Sequence, residues 1–209
     1  MIDQLLTFFV VFLVVVEPVS VIPIFMALTE GLTEAERRRT ARKGIAIAAA
    51  ILFVFSLVGG PFLRLMSISI DAFRIFGGLL LFLIALEMVF ARTSGTRTSD
   101  PEEEEGRKRA DISVFPLAFP FIAGPGALAT ILLAFGPAEG KPLLTLGLLV
   151  CVAVVLAIAL GVLYLASPIM RVMGVTGANV LNRLFGVVLG ALSVQYVIDG
   201  LRGSFPAVG

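Results

Sequence analysis

Pro18-Val19-Ser20-Val21-Ile22-Pro23 and Pro120-Phe121-Ile122-Ala123-Gly124-Pro125 place the same interruption in two apolar segments of one chain. Each proline lacks a backbone donor and crowds the turn before it, so neighbouring peptide groups lose their helical partners. In hydrocarbon such groups cannot stay unpaired; they persist only against protein or a polar cavity. Broken helices at corresponding places in two halves of a chain are the sequence pattern of a transporter's binding site. The residues around the breaks and the organisation of the two halves are therefore the parts that decide fold and function.

The surrounding chain is a membrane protein by composition. Apolar residues make up 58% of the 209, and only 15% are charged, well outside the range of a soluble domain. A helix needs about 20 apolar residues to cross the hydrocarbon core. Six stretches qualify: 5–28, 44–63, 72–90, 112–135, 143–165 and 180–201. The first carries Asp3 early, with no basic segment before it and no small-residue cleavage site, so it is expected to be retained as a span.

Basic residues set the expected threading. Arg37, Arg38, Arg39, Arg42 and Lys43 follow span one, five more lie between spans three and four, and Arg171 and Arg183 lie between or at the edge of spans five and six. Arg64, Arg74, Lys141 and Arg202 fall on the other side. The positive-inside rule then puts both termini outside. A net charge of +1 gives no basis for a nucleic-acid partner. With no histidine and the single Cys151 inside an apolar span, no metal site and no cofactor is expected, and Cys151 reads as a core residue. Nor do the spans hold a histidine pair, an Asp-x-x-Asp cluster or a Ser/Lys or Cys/His set, which speaks against an enzyme.

A repeat runs through both halves. Beyond the breaks, Pro61-Phe62-Leu63-Arg64-Leu65-Met66 matches Pro168-Ile169-Met170-Arg171-Val172-Met173, and Arg74-Ile75-Phe76-Gly77 matches Arg183-Leu184-Phe185-Gly186. Three spans per half is an odd number, so the second half enters from the opposite face. The expected fold is an all-α polytopic membrane protein of six transmembrane helices, arranged as a 3+3 inverted-topology repeat in which helices one and four are broken. Residues 1–91 form the first repeat, 92–111 a cytoplasmic linker with Glu102 to Glu105 ahead of Arg107-Lys108-Arg109, and 112–209 the second. Thr33 with Glu36 three residues on has the spacing of a capping box opening span two.

The chemistry centres on the breaks. Glu17 precedes Pro18 near the middle of span one, where insertion of an acidic side chain costs roughly 2.5–3.5 kcal/mol. Such a carboxylate can hold a substrate amine or carry a proton, or it can cap backbone amides freed at the break. In span four, Pro125 has the character of a first-turn residue opening a half-helix, and Gly124, Gly126 and Ala127 allow close backbone approach. The start of that half-helix carries roughly half a positive charge, suited to a substrate carboxylate. Ser20 and Thr130 would add hydroxyls, and Pro18, Pro23, Pro120 and Pro125 would hold the breaks open. Small residues here equally suit close helix packing. Glu87 and Asp199 sit near helix ends and are read as reaching the interface. Gln195 and Asn182 either line a cavity or bond across helices. Gly77-Gly78 and Gly186 with Gly190 are packing faces.

Taken together, Pro18 with Ile22-Pro23-Ile24-Phe25, Leu28-Thr29-Glu30-Gly31-Leu32 before Arg37-Arg38-Arg39, Phe73-Arg74-Ile75 before Gly77-Gly78-Leu79-Leu80-Leu81, Ala123-Gly124-Pro125-Gly126-Ala127, and Arg183, Gly186, Gln195 and Gly200-Leu201 resemble the MarC-type integral membrane proteins. That family is also described as six-span neutral amino acid transporters. The resemblance implies a symporter or exporter of small neutral amino acids such as glycine and alanine, linked to protons, in a bacterial or archaeal plasma (inner) membrane. Ser20-Val21 stands where the family commonly has Gly-Asn, a departure that bears on substrate identity more than on fold. The partners expected are a small zwitterion, H+ and the bilayer. The function expected is secondary amino-acid transport by alternating access at a midplane site between helices one and four; its rivals are a channel, an exporter of another small solute and a non-transporting scaffold.

Overall fold

The computed structural model describes residues 1–90 and 112–205; the linker expected at 92–111 lies outside the described residues. Among these the ordered elements are all helical: α1 Ile2–Val16, α2 Val21–Leu28, α3 Glu34–Leu65, α4 Ile70–Phe90, α5 Ser113–Ile122, α6 Pro125–Phe135, α7 Pro142–Tyr164 and α8 Ala166–Ser204. Four of them are long and apolar enough to cross a membrane: α3, α4, α7 and the Asn179–Ser204 part of α8. Two bent pairs complete up to six spans, α1 with α2 at 40° and α5 with the segment Pro125–Ala138 at 52°. The protein is an all-α polytopic membrane protein.

Local chemistry explains where the helices start and stop. The capping box at α3 forms: the Thr33 N–H donates to Glu36 Oε2 at 2.8 Å, and the Glu36 N–H donates to Thr33 Oγ1 at 3.3 Å. It lengthens the second span by a charged first turn and more, since α3 begins at Glu34 and not near Gly44. Helix α8 also starts earlier than the apolar run, at Ala166, and kinks at Gly174 (φ 63°, ψ 179°). Hydropathy marks the part of a helix that crosses hydrocarbon, not the polar turns that continue it. Pro168 is compatible with this early start because it falls in the first turn, where backbone N–H groups have no intrahelical acceptor.

Positive φ angles fall at Gly31 (82°), shortly before α3, at Gly140 (75°), shortly before α7, and at Ser67 (57°) and Gly174 (63°), each of which follows a Pro-x-x-Arg-x-Met run.

Helices α4 and α8 pack antiparallel along their length. Gly78 lies against the Ser193 carbonyl and Val197, Gly186 against Ala85 and Met88, and Gly200 against Asp71 and Ile75; a Cβ on any of the three would come within 3.0 Å of its neighbours. Of the glycines read from the sequence as packing faces, Gly78, Gly186 and Gly190 thus contribute to one helix contact, while Gly77 lies against Leu133 of α6. Helix α3 lies against α5, α6 and α7, while α1 lies against α6 and α7. The bent pairs therefore occupy the middle, with Phe12, Phe25, Ile131 and Leu81 fully buried. Outward faces such as Val54, Leu57 and Val58 of α3 and Leu146 and Val150 of α7 are exposed and apolar, as a lipid-facing surface requires.

Candidate functional site

The two breaks are built differently. In the first, α1 ends at Val16 and Glu17 adopts the left-handed conformation (φ 48°, ψ 57°), its N–H donating to the Leu13 carbonyl at 3.1 Å. Its carbonyl accepts from the Ser20 N–H at 3.0 Å and the Val21 N–H at 3.3 Å. That turn carries Pro18 and restarts the chain as α2, with Pro23 in the first turn where a missing N–H is tolerated. Left-handed geometry at a residue with a Cβ, directly before a proline, is unfavourable on both counts. Glu17 is nonetheless only 5% exposed.

In the second break the chain is extended rather than left-handed. Phe115 (φ −131°, ψ 127°) and Phe119 (φ −131°, ψ 131°) each precede a proline, Pro116 and Pro120, and both Phe–Pro bonds are cis. The residue before a proline is driven toward this region. Between and after them the backbone closes wide turns, Leu117 N–H to Ile112 C=O at 3.2 Å and Ala123 N–H to Ala118 C=O at 2.8 Å. The chain then passes Gly124, extended at φ −75° and ψ 173°, into α6 with Pro125 at its first position. A Cβ on Gly124 would run into the Pro120 carbonyl oxygen, so glycine is required there by close approach. The first bond of α6 is Leu128 N–H to Gly124 C=O at 3.0 Å, which leaves the Gly126 and Ala127 amides pointing out of the helix start.

The breaks meet at Gly126. A Cβ there would stand 3.1 Å from Val15 Cγ1 of α1 and 2.7 Å from Ile84 Cδ1 of α4. Beside this contact is a cavity of about 10 Å³ walled by Val15, Ile84, Pro120, Phe121, Gly124, Pro125, Gly126 and Ala127, room for on the order of one water. Of the residues singled out in the sequence, Pro120, Gly124, Pro125, Gly126 and Ala127 reach that cavity. Glu17, two residues past Val15 in the chain, does not form its wall, nor do Pro18, Ser20, Pro23 and Thr130. Thr130 is buried and its hydroxyl donates to the Gly126 carbonyl at 2.9 Å, so its proton is committed to its own helix. The small residues of span four serve close packing in this conformation, one of the two readings they admitted.

Pro116, Val15 and Ile84 were not singled out by sequence. The Phe-Pro dipeptide repeated four residues apart, at 115–116 and 119–120, is the signal for the first, because each pre-proline residue resists the helix. Val15 and Ile84 carry no signal beyond being apolar. Outside the breaks, Gln195 Nε2 donates to Asp199 Oδ1 at 2.8 Å and Arg74 Nη1 to Asp71 Oδ1 at 2.8 Å, which ties the polar residues at one end of α4 and α8 to local partners.

A family model described as "MarC family integral membrane protein" matches residues 2–205. Among similar proteins, the UPF0056 membrane protein YhcE of Escherichia coli (strain K12) is 33% identical over 96% of this chain and 93% of its own. YvbG of Bacillus subtilis (strain 168) is 34% identical over 96% and 95%, and MJ1677 of the archaeon Methanocaldococcus jannaschii 34% over 91% and 92%. No solved structure matches the chain.

Proposed function

The chain belongs to the MarC family of integral membrane proteins, and from that premise we propose that it is a secondary transporter of small neutral amino acids of the glycine and alanine class, coupled to protons and not an enzyme. The two inverted halves alternate access to a site between the broken spans. Both termini face outward, as the positive-inside count has it.

One observation carries the reading: two proline-broken spans meet in the core at Val15 and Gly126, with a buried carboxylate in strained backbone two residues away. Strain of this kind is kept where the surrounding structure holds it for a purpose, and it clusters at binding and switch regions. Glu17 is the residue that binds the substrate amine or carries the proton. The outward-pointing amides of Gly126 and Ala127 receive the substrate carboxylate, with Gly124, Ser20 and Thr130 beside them. In the present conformation the cavity admits on the order of one water, so a substrate enters when the breaks separate. The matched positive-φ positions and the antiparallel pairing of α4 with α8 support the inverted repeat that alternating access uses.

The test is radiolabelled alanine and glycine flux into proteoliposomes, with and without an imposed pH gradient, for the wild type and Glu17→Gln. Saturable, gradient-driven flux that the variant loses while still folding is the expected result. Wild-type flux and pH dependence in the variant would remove Glu17 from the mechanism, and absence of flux under every gradient would remove the amino-acid substrate.

A further inference from the structure

Helix α3 is tied to the second half at both of its ends. At its start, Arg37 Nη1 donates to Ser167 Oγ at 2.9 Å, and Ser167 lies in the corner that joins α7 to α8. The same hydroxyl is 3.8 Å from Met26 Sδ of α2, so this tie also covers the end of the first broken span. The Arg37 side chain is only 17% exposed, with Glu34 at 3.8 Å, and its Nε is enclosed without a hydrogen-bond partner among the described residues. Arg38 adds a second hold on the corner, its guanidinium 5.7 Å over the Tyr164 ring. At the other end of α3, Arg64 pairs with Glu139, which follows the end of the second broken span.

Arg37 and Arg64 are 27 residues apart on one helix, roughly 40 Å at 1.5 Å per residue. That matches the thickness of a bilayer with its headgroups, so the two ties lie at opposite membrane faces. Each sits where one broken span emerges, and the cavity of about 10 Å³ lies where those spans meet, walled by residues of α1, α4 and the α5–α6 break. Both ties are made in this one conformation, in which the cavity has room for on the order of one water.

Resting on the transport reading, we propose that these ties are the two latches of the gate: release of Arg64–Glu139 opens the cavity to one face, and release of Arg37 from the α7–α8 corner opens it to the other. An ion pair this exposed contributes little net stability, which makes it a contact that thermal motion can break and remake. The Arg37 tie is the more enclosed, its side chain 17% exposed against 56% for Arg64, so solvent and salt screen it less and it is the stronger of the two.

A thiol on the cavity wall reads the gate without any substrate. In a Cys151→Ser background, Ala127→Cys is labelled by a membrane-impermeant maleimide applied to right-side-out or inverted vesicles. Glu139→Ala should raise the labelling rate from the Arg64 face about two- to fivefold, and Arg64→Glu with Glu139→Arg should restore it. Arg37→Ala, and the milder Ser167→Ala, should raise labelling from the opposite face about five- to tenfold. Unchanged labelling in folded Glu139→Ala and Ser167→Ala, or increases from the same face for both ends, overturns the latches. If labelling responds as stated while the wild type, with Ala127 unaltered, shows no alanine or glycine flux, the latches stand and the substrate assignment falls; if wild-type flux is present and labelling does not respond, the reverse holds.

Discussion

Ser67 and Gly174 share a setting: each directly follows a Pro-x-x-Arg-x-Met run, and each has a positive φ, 57° and 63°. At Gly174 ψ is 179°, a region open essentially to glycine alone. Nothing lies within 4 Å of a Cβ built there, so any penalty for a side chain comes from the backbone and not from crowding. Gly174→Ala should therefore destabilise by about 1–3 kcal/mol, while Ser67→Gly should be neutral or stabilise by up to about 1 kcal/mol. Unfolding midpoints in detergent check both; equal effects of opposite placement, with Gly174→Ala silent, would refute the backbone account.

The contact of the two breaks predicts a coupled pair. Gly126→Ala puts a methyl group 2.7 Å from Ile84 Cδ1 and 3.1 Å from Val15 Cγ1. The Ile84 terminus can turn aside but Val15 packs close to the buried turn at Glu17, so the change should cost about 1–3 kcal/mol. Ile84→Ala clears the nearer of the two contacts. In the double variant the two losses should add to less than their sum, and a double-mutant cycle on unfolding free energy measures the difference. Strict additivity would mean that Gly126 does not meet Ile84.

At Gly124 the obstacle is a backbone atom, which cannot turn aside. A Cβ would collide with the Pro120 carbonyl oxygen, although φ of −75° is open to any residue. Gly124→Ala is expected to destabilise more than Gly126→Ala, and no side-chain truncation nearby should rescue it. By contrast Pro23→Ala, in the first turn of α2, should change stability by less than about 1 kcal/mol, since the N–H it restores has no intrahelical acceptor to find. Comparing the folded fraction of these variants after heating separates the two kinds of position.

How much of this was visible beforehand depends on the range of the interaction involved. Features set by neighbours in sequence were legible: the apolar lengths of the spans, the break at Pro18, Pro125 opening α6, and the Thr33–Glu36 box. Glycine faces on α4 and α8 were also legible, because close helix packing selects for small residues. The repeated Phe-Pro pair was local too, yet only its second proline was read, and the break proved longer than six residues. Features set by distant residues were not. Arg37 and Ser167 are 130 positions apart, and nothing in either segment specifies the other. The left-handed Glu17 opposes what its own side chain and the following proline prefer, so local reasoning points away from it; only the packing around it explains why it is held there.

That opposition gives the last prediction. Glycine at position 17 removes the steric objection to φ 48°, while asparagine keeps a polar side chain and is among the residues that tolerate this region. Were Glu17 there for packing alone, Glu17→Gly and Glu17→Asn should both lower stability, because they remove contacts of a side chain only 5% exposed, and flux should persist in the folded protein. With the carboxylate as the working group, both variants should keep or gain thermal stability, by up to about 1–2 kcal/mol, and both should lose gradient-driven flux along with Glu17→Gln. Glu17→Asp separates charge from length: it retains the carboxylate one methylene shorter, and is expected to keep a reduced, still pH-dependent flux. Stability and transport moving in opposite directions at one residue is the result to look for, because strained functional groups are maintained against the stability of the fold.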